Sequence, residues 1–173
     1  TIAGIDPGSA EVVGEIASAL RAGGVRGARR ILHGADIPFT TERFREGLHR
    51  LGSHRLSFDF CVRWTHLAAL EEVVASIEAT NYVLDHLGNP PIKSGWSSPE
   101  RAEWQRLIAR VAACERVSVK WSAMFENVGR AMSADEIRRR VTVVNPQLLR
   151  EYSNDFKDSV VMLAIHQGNW EWM

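Results

Sequence analysis

Cysteine, charge of one sign and long apolar runs are all scarce in this sequence, and each shortage removes a class of protein. Only 2 cysteines occur in 173 residues, Cys61 and Cys114. They form neither a disulfide framework nor a metal-ligand spacing, which excludes a cysteine-stapled secreted domain. They read instead as reduced core thiols of a cytoplasmic protein. Lys plus Arg and Asp plus Glu are 21 each, so the formal net charge is zero. No global basic field exists to gather nucleic acid or an anionic membrane, and no nucleic-acid partner is expected. The longest purely apolar run, Val160 to Ile165, is far short of the roughly 20 residues that span a bilayer. No transmembrane segment is expected. There is no signal-peptide pattern, and the sequence opens at Thr1 rather than Met, which reads as a fragment.

What is present is an ordinary globular composition, 45% hydrophobic and 24% charged, which excludes a disordered or collagen-like chain. Five short β-rich runs punctuate the first three quarters: Ile2–Ile5, Ala28–Leu32, Leu56–Val62, Tyr82–Leu84 and Val117–Trp121. Helical patterns lie between most of them. Pro7-Gly8-Ser9 precedes a stripe of Val12, Ile16, Ala19 and Leu20 that stops at Gly23-Gly24. Thr41 caps a helix carrying Phe44 and Leu48, closed by Gly52, and Thr65 caps the next, with Leu67, Leu70, Val74 and Ile77 on one face. Ser98-Pro99 is an N-cap with proline at the first helical position, ahead of Trp104, Leu107, Ile108 and Val111. Strand and helix in alternation predict βαβ units on a parallel sheet, with right-handed crossovers. An open doubly wound sheet and a (β/α)8 barrel both satisfy this pattern.

In either architecture function sits at the C-terminal strand ends. Those ends are polar. His33 follows the second run, Arg63 and His66 the third, Asp85-His86-Leu87-Gly88 the fourth, and Lys120 and Ser122 the fifth. Such a ring suits a polar substrate that develops negative charge, or a divalent metal that activates water. His33 and His66 equally fit surface or capping roles, and Arg63 a helix carboxylate partner. Asp59, inside a strand, reads as a packed, hydrogen-bonded structural group. His86 ends an apolar strand ahead of a Gly-Asn-Pro-Pro turn and is the strongest functional candidate.

The ordered segments Val25–His33, Leu56-Ser57-Phe58-Asp59, Tyr82–Ile92 and Val117–Ser122 resemble the amidohydrolase-related (amidohydrolase 2) family of lactonases. The most specific part is Asp85-His86-Leu87-Gly88-Asn89-Pro90. The resemblance implies an α/β fold: an incomplete TIM-barrel-like parallel sheet of about five βα units, with a short α/β segment after it. A full barrel needs about 250 residues. It also implies hydrolysis of a small-molecule lactone or similar carbonyl substrate, with a divalent metal, Zn or Mn, in some branches. By residue, His86 would be catalytic and a metal ligand, and Arg63, Lys120 and His33 would bind substrate. No His-x-His pair occurs anywhere in the chain. Unpaired strand edges of an unclosed sheet predict self-association into an oligomer.

From about residue 133 the pattern changes. Ser133-Ala134-Asp135-Glu136 is a capping box, and Val160–Ile165 reads as a buried strand delivering His166-Gln167-Gly168-Asn169-Trp170-Glu171-Trp172. With Arg139-Arg140-Val141 and Val144-Asn145-Pro146, this segment resembles the lipid A biosynthesis acyltransferases. That resemblance implies His166 as the base and Glu171 as its orienting carboxylate in acyl transfer to a sugar hydroxyl, in parents bound to the inner membrane. The division expected is 1–130, a partial amidohydrolase-like barrel, and 131–173, a truncated acyltransferase-like segment. Three functional expectations follow: a lactone-type hydrolase, an acyltransferase, and a non-catalytic chimeric fragment.

Overall fold

A computed structural model describes residues 1–95 and 97–122. Five strands, β1 (Ile2–Gly4), β2 (Gly27–Leu32), β3 (Ser57–Val62), β4 (Tyr82–Leu84) and β5 (Val117–Val119), alternate with helices α1 (Val12–Ala22), α2 (Glu42–Ser53), α3 (Leu67–Ser76) and α4 (Pro99–Ala112). All strand pairs are parallel and the sheet order is β1-β2-β3-β4-β5. That order decides between the two architectures left open by the sequence. A doubly wound sheet reverses direction at its switch point. An unbroken sequential order with right-handed crossovers keeps every helix on one side, as in a (β/α) barrel. The sheet is TIM-barrel-like and unclosed, with β1 and β5 at its edges among the described residues.

Strand alternation sorts the side chains onto two faces. Ala28, Leu32, Phe58, Phe60, Val62, Tyr82 and Leu84 belong to one buried cluster with α1–α4 residues such as Ile16, Phe44, Leu70 and Val111. The opposite face carries Arg29, Asp59 and Val83 in one register row. Ile31 also points there and is 61% exposed. The covered face is apolar apart from Arg30, which shares it with Ala28 and Leu32 and pairs with Asp6, and the open face is where the other polar groups collect.

The helix starts follow their caps. Thr41 and Ser98 accept hydrogen bonds from the Phe44 and Arg101 amides, as the sequence suggests. Thr65 does not cap. It sits inside a 3-10 turn, Trp64–His66, that runs directly into α3, and the His66 amide is bonded to the Arg63 carbonyl instead. Leu20 is 43% exposed, so the buried stripe of α1 is Val12 and Ile16 with Ala19 partly covered. β5 stops at Val119, two residues early, and Trp121 is 63% exposed.

Helix α2 approaches its neighbours closely through glycine. A Cβ at Gly47 would lie 2.1 Å from the Pro7 carbonyl oxygen, a backbone atom that cannot swing aside. Alanine normally improves a helix interior by about 1 kcal/mol over glycine. Here we expect Gly47→Ala to destabilise by about 2 kcal/mol, because α2 must be pushed off the β1–α1 loop. Urea unfolding of the variant checks this; a gain in stability would mean that the loop gives way.

Candidate functional site

Four charged residues from four successive strands or strand ends form a ladder on the open face. Lys120 Nζ donates to Asp59 Oδ2 at 2.6 Å and lies 2.9 Å from Asp85 Oδ1. Arg29 Nε donates to Asp85 Oδ2 at 2.6 Å. The carboxylates are buried, Asp59 1% and Asp85 2% exposed, whereas the cations remain accessible, Lys120 39% and Arg29 37%. The acids are therefore the anchors, and the cations are the groups a ligand can reach. Burial works against charge on Lys120, but its bonds to Asp59 and Asp85 more than offset this and raise its pKa. Burial raises the Asp59 pKa, with Lys120 pulling the other way.

The segment after β4 is unusual in its backbone. His86, Leu87, Gly88 and Asn89 all have positive φ, 57°, 53°, 69° and 52°. Each non-glycine residue held there costs of order 1–3 kcal/mol, so surrounding bonds must impose the conformation. The Leu87 amide donates to the Lys120 carbonyl, and Trp104 Nε1 donates to the Leu87 carbonyl at 2.9 Å. Asn89 Nδ2 donates to the Val62 carbonyl at 2.7 Å. The left-handed turn is thus tied to β3, β5 and α4 at once. It sets His86 beside Ser122, whose Oγ lies 2.8 Å from His86 Nδ1.

A second group adjoins the first. Donor atoms of Cys61, Asp85 and His86 all lie within 4.8 Å of one another. Thiol, carboxylate and imidazole suit a divalent transition-metal ion, whose donors stand about 3.5–4 Å apart in a tetrahedral site. Asp85 Oδ1 is buried and has Lys120 Nζ, at 2.9 Å, as its close partner among the described residues, which leaves this oxygen one further lone pair to give. The residues fit such an ion. His33 Nε2 lies 3.4 Å from Cys61 Sγ and 3.3 Å from Asn89 Nδ2. Burial, Arg63 and His86 lower the His33 pKa. Burial also pushes the Cys61 thiol up, with Arg29 pulling the other way.

His66 is 6% exposed, and its Nδ1 has no hydrogen-bond partner among the described residues. Burial lowers its pKa, a hydrogen bond to the Leu32 backbone opposes this, and the Arg63 charge lowers it further. The unfolded chain, at the ordinary 6.5, takes up this proton before the folded chain does. The fold therefore carries no penalty from His66 above that pH and loses stability as pH falls below it. Unfolding curves at pH 7 and pH 5.5 should show a smaller loss in His66→Phe than in the parent. An identical loss would assign the acid sensitivity to other groups.

Of the residues singled out from sequence, His33, His86 and Lys120 meet at this edge. Arg63 is exposed after β3, and its charge reaches His33 and His66. His166 and Glu171 lie outside the described residues, as does Val160–Ile165. Asp59 is packed and hydrogen-bonded as expected, and it also anchors Lys120. Sequence reasoning passed over Arg29, Cys61 and Asn89. The signal for the first two is their register parity: both share the face of Asp59, every second residue along β2 and β3.

The sequence profile of the Amidohydrolase family matches residues 2–152. An L-fucono-1,5-lactonase of Burkholderia ambifaria is 30% identical over 127 residues, 72% of this chain and 42% of that protein. An amidohydrolase from Burkholderia multivorans, crystallised with zinc, superposes with a TM-score of 0.69 at 24% identity, over 80% of this chain and 49% of that one. A second crystal form of it, with bound HEPES, gives 0.68 over 78% and 48%. At that identity these structures speak to the fold alone. The chain spans about half the length of the relatives it matches.

Proposed function

The chain belongs to the amidohydrolase family, and from that premise we propose that it serves hydrolysis of a lactone or similar carbonyl compound. The observation that carries this is the charge ladder on the open face of the sheet, two accessible cations held by two buried carboxylates, with His86 next to Asp85. Water adds to the lactone carbonyl, and the ring C–O bond breaks. The proton from water passes to the leaving oxygen, and the product is an open-chain hydroxy acid. Lys120 and Arg29, accessible and held in place by their carboxylate partners, would stabilise the oxygen that becomes negative. His86 serves the activation of the attacking water, oriented by Ser122. His33 and Arg63 lie on the same edge, where they would contact the substrate.

Cys61, Asp85 and His86 are the residues that would hold a divalent ion. When bound, such an ion makes its water acidic enough to supply hydroxide near neutral pH. The identity of the lactonase relative favours a sugar-acid lactone as the first substrate to try. Nothing among the described residues or in the matches above favours the acyl-transfer reading of His166 and Glu171.

Lactone opening releases a proton, so a weakly buffered pH-indicator assay on sugar-acid 1,5-lactones reads it directly. We expect catalysed hydrolysis that falls roughly 100-fold in His86→Ala, an ordinary loss for removing a group that handles the water, and that persists in His166→Ala. A folded chain showing no rate above background, or full activity in His86→Ala, would sink the reading.

A further inference from the structure

We propose that the metal site of this chain is a thiolate site: Cys61 Sγ, at the end of β3, ligates a zinc-class ion together with Asp85 and His86. The proposal deepens the hydrolase reading, on which its catalytic meaning rests. Three observations carry it. The three donor atoms lie within 4.8 Å of one another, Cys61 on β3 and Asp85 and His86 on the turn that follows the adjacent parallel strand β4. Cys61 is 2% exposed but faces the polar side of the sheet, with Asp59, rather than the apolar cluster, which excludes it. A thiol serving only as core filler would sit among apolar side chains; this one has His33 Nε2 at 3.4 Å and carboxylate and imidazole donors around it. The left-handed turn at 86–89 is locked by bonds to three elements, so the imidazole is presented before any ion arrives.

Charge decides what the ion must bring. The two carboxylates, Asp59 and Asp85, are already matched by Lys120 and Arg29. Binding a divalent ion releases the Cys61 proton to solvent, and the resulting thiolate supplies the negative charge that the balanced ladder lacks. A thiolate, a carboxylate and an imidazole select zinc or cobalt(II), whereas manganese and magnesium prefer all-oxygen sets. Of the two metals that the family resemblance implied, the ligand set therefore selects zinc.

The test uses the full chain, stripped of metal by a chelator and titrated with cobalt(II), then zinc. We expect a near-ultraviolet thiolate-to-cobalt charge-transfer band saturating at one equivalent, displaced by zinc and not by manganese. Cys61→Ser exchanges one atom, and matching circular dichroism verifies its fold; it should lose the band. Its zinc affinity should fall by roughly 100-fold or more, beyond what loss of a supporting partner costs. Cys114→Ser should retain both, and His86→Ala should weaken binding comparably to Cys61→Ser. Absence of the band in the folded parent, or a band that survives Cys61→Ser, overturns the proposal. Because the readout is spectroscopic, a metal site without lactone hydrolysis would overturn the hydrolase reading alone. Hydrolysis without the band would overturn this one alone.

Discussion

Phe60→Ala is expected to lower the stability of the fold by about 4 kcal/mol, near the middle of the range for large-to-small changes at buried aromatics. Phe60 is 1% exposed and sits at the centre of an aromatic cluster. Its ring lies 4.8 Å from Phe58 and 5.5 Å from Phe39, both edge-on, and 5.8 Å from Tyr82. Removing it leaves a hole bordered by rings that cannot close it without leaving their rotamers. It also removes edge-to-face contacts that contribute about 0.5–1.5 kcal/mol each beyond burial. Against the usual total of about 5–15 kcal/mol, this one change removes a large part of the stability. The consequence reaches the site, because Asp59 and Cys61 flank Phe60 on β3 and take their direction from its packing. Phe60→Leu, which keeps most of the volume, should lose less than half as much. Urea unfolding of both variants measures this. A loss under 2 kcal/mol for Phe60→Ala would show that the cluster repacks and does not fix β3.

The same alternation explains what could be read from the sequence and what could not. The five strands were legible because apolar β-rich runs between capped helices leave few alternatives, and Tyr82–Leu84 matches to the residue. Strand order was not legible, since barrel and doubly wound sheet share the βαβ repeat; only the pairing of β1 through β5 in sequence separates them. Thr65 misled because a 3-10 turn can precede a helix and satisfy its first amides without any side chain. His86 stood out because its local setting, strand then turn, is written in consecutive residues. Cys61 did not, because its partners Asp85 and His86 are more than twenty positions away and reach it only across the β3–β4 register. Lys120 could be placed at a strand end from sequence, but its bond to Asp59, 61 residues earlier, is a property of the sheet.

That bond makes Lys120 the residue whose loss should be felt both in folding and in chemistry. Lys120→Met keeps the stem and removes the charge, leaving Asp59 without its hydrogen-bond donor and Asp85 with Arg29 alone. Breaking a fully buried pair costs about 3–5 kcal/mol. Lys120 is 39% exposed and Arg29 still serves Asp85, so we expect about 3 kcal/mol. Most of this loss is the penalty for a stranded carboxylate and not the worth of the bond itself. The double variant Asp59→Asn/Lys120→Met removes that stranded charge, and should regain at least about 1 kcal/mol relative to Lys120→Met. Lactone hydrolysis, in contrast, should remain lost in the double variant if Lys120 has the proposed role, because the cation assigned to the developing oxyanion is still missing. Stability and rate thus move apart in one double-mutant cycle. Were the double variant no more stable than Lys120→Met, Asp59 would not be the group that Lys120 compensates. Were it to recover hydrolysis as well, Lys120 would be an anchor for the sheet and not part of the chemistry.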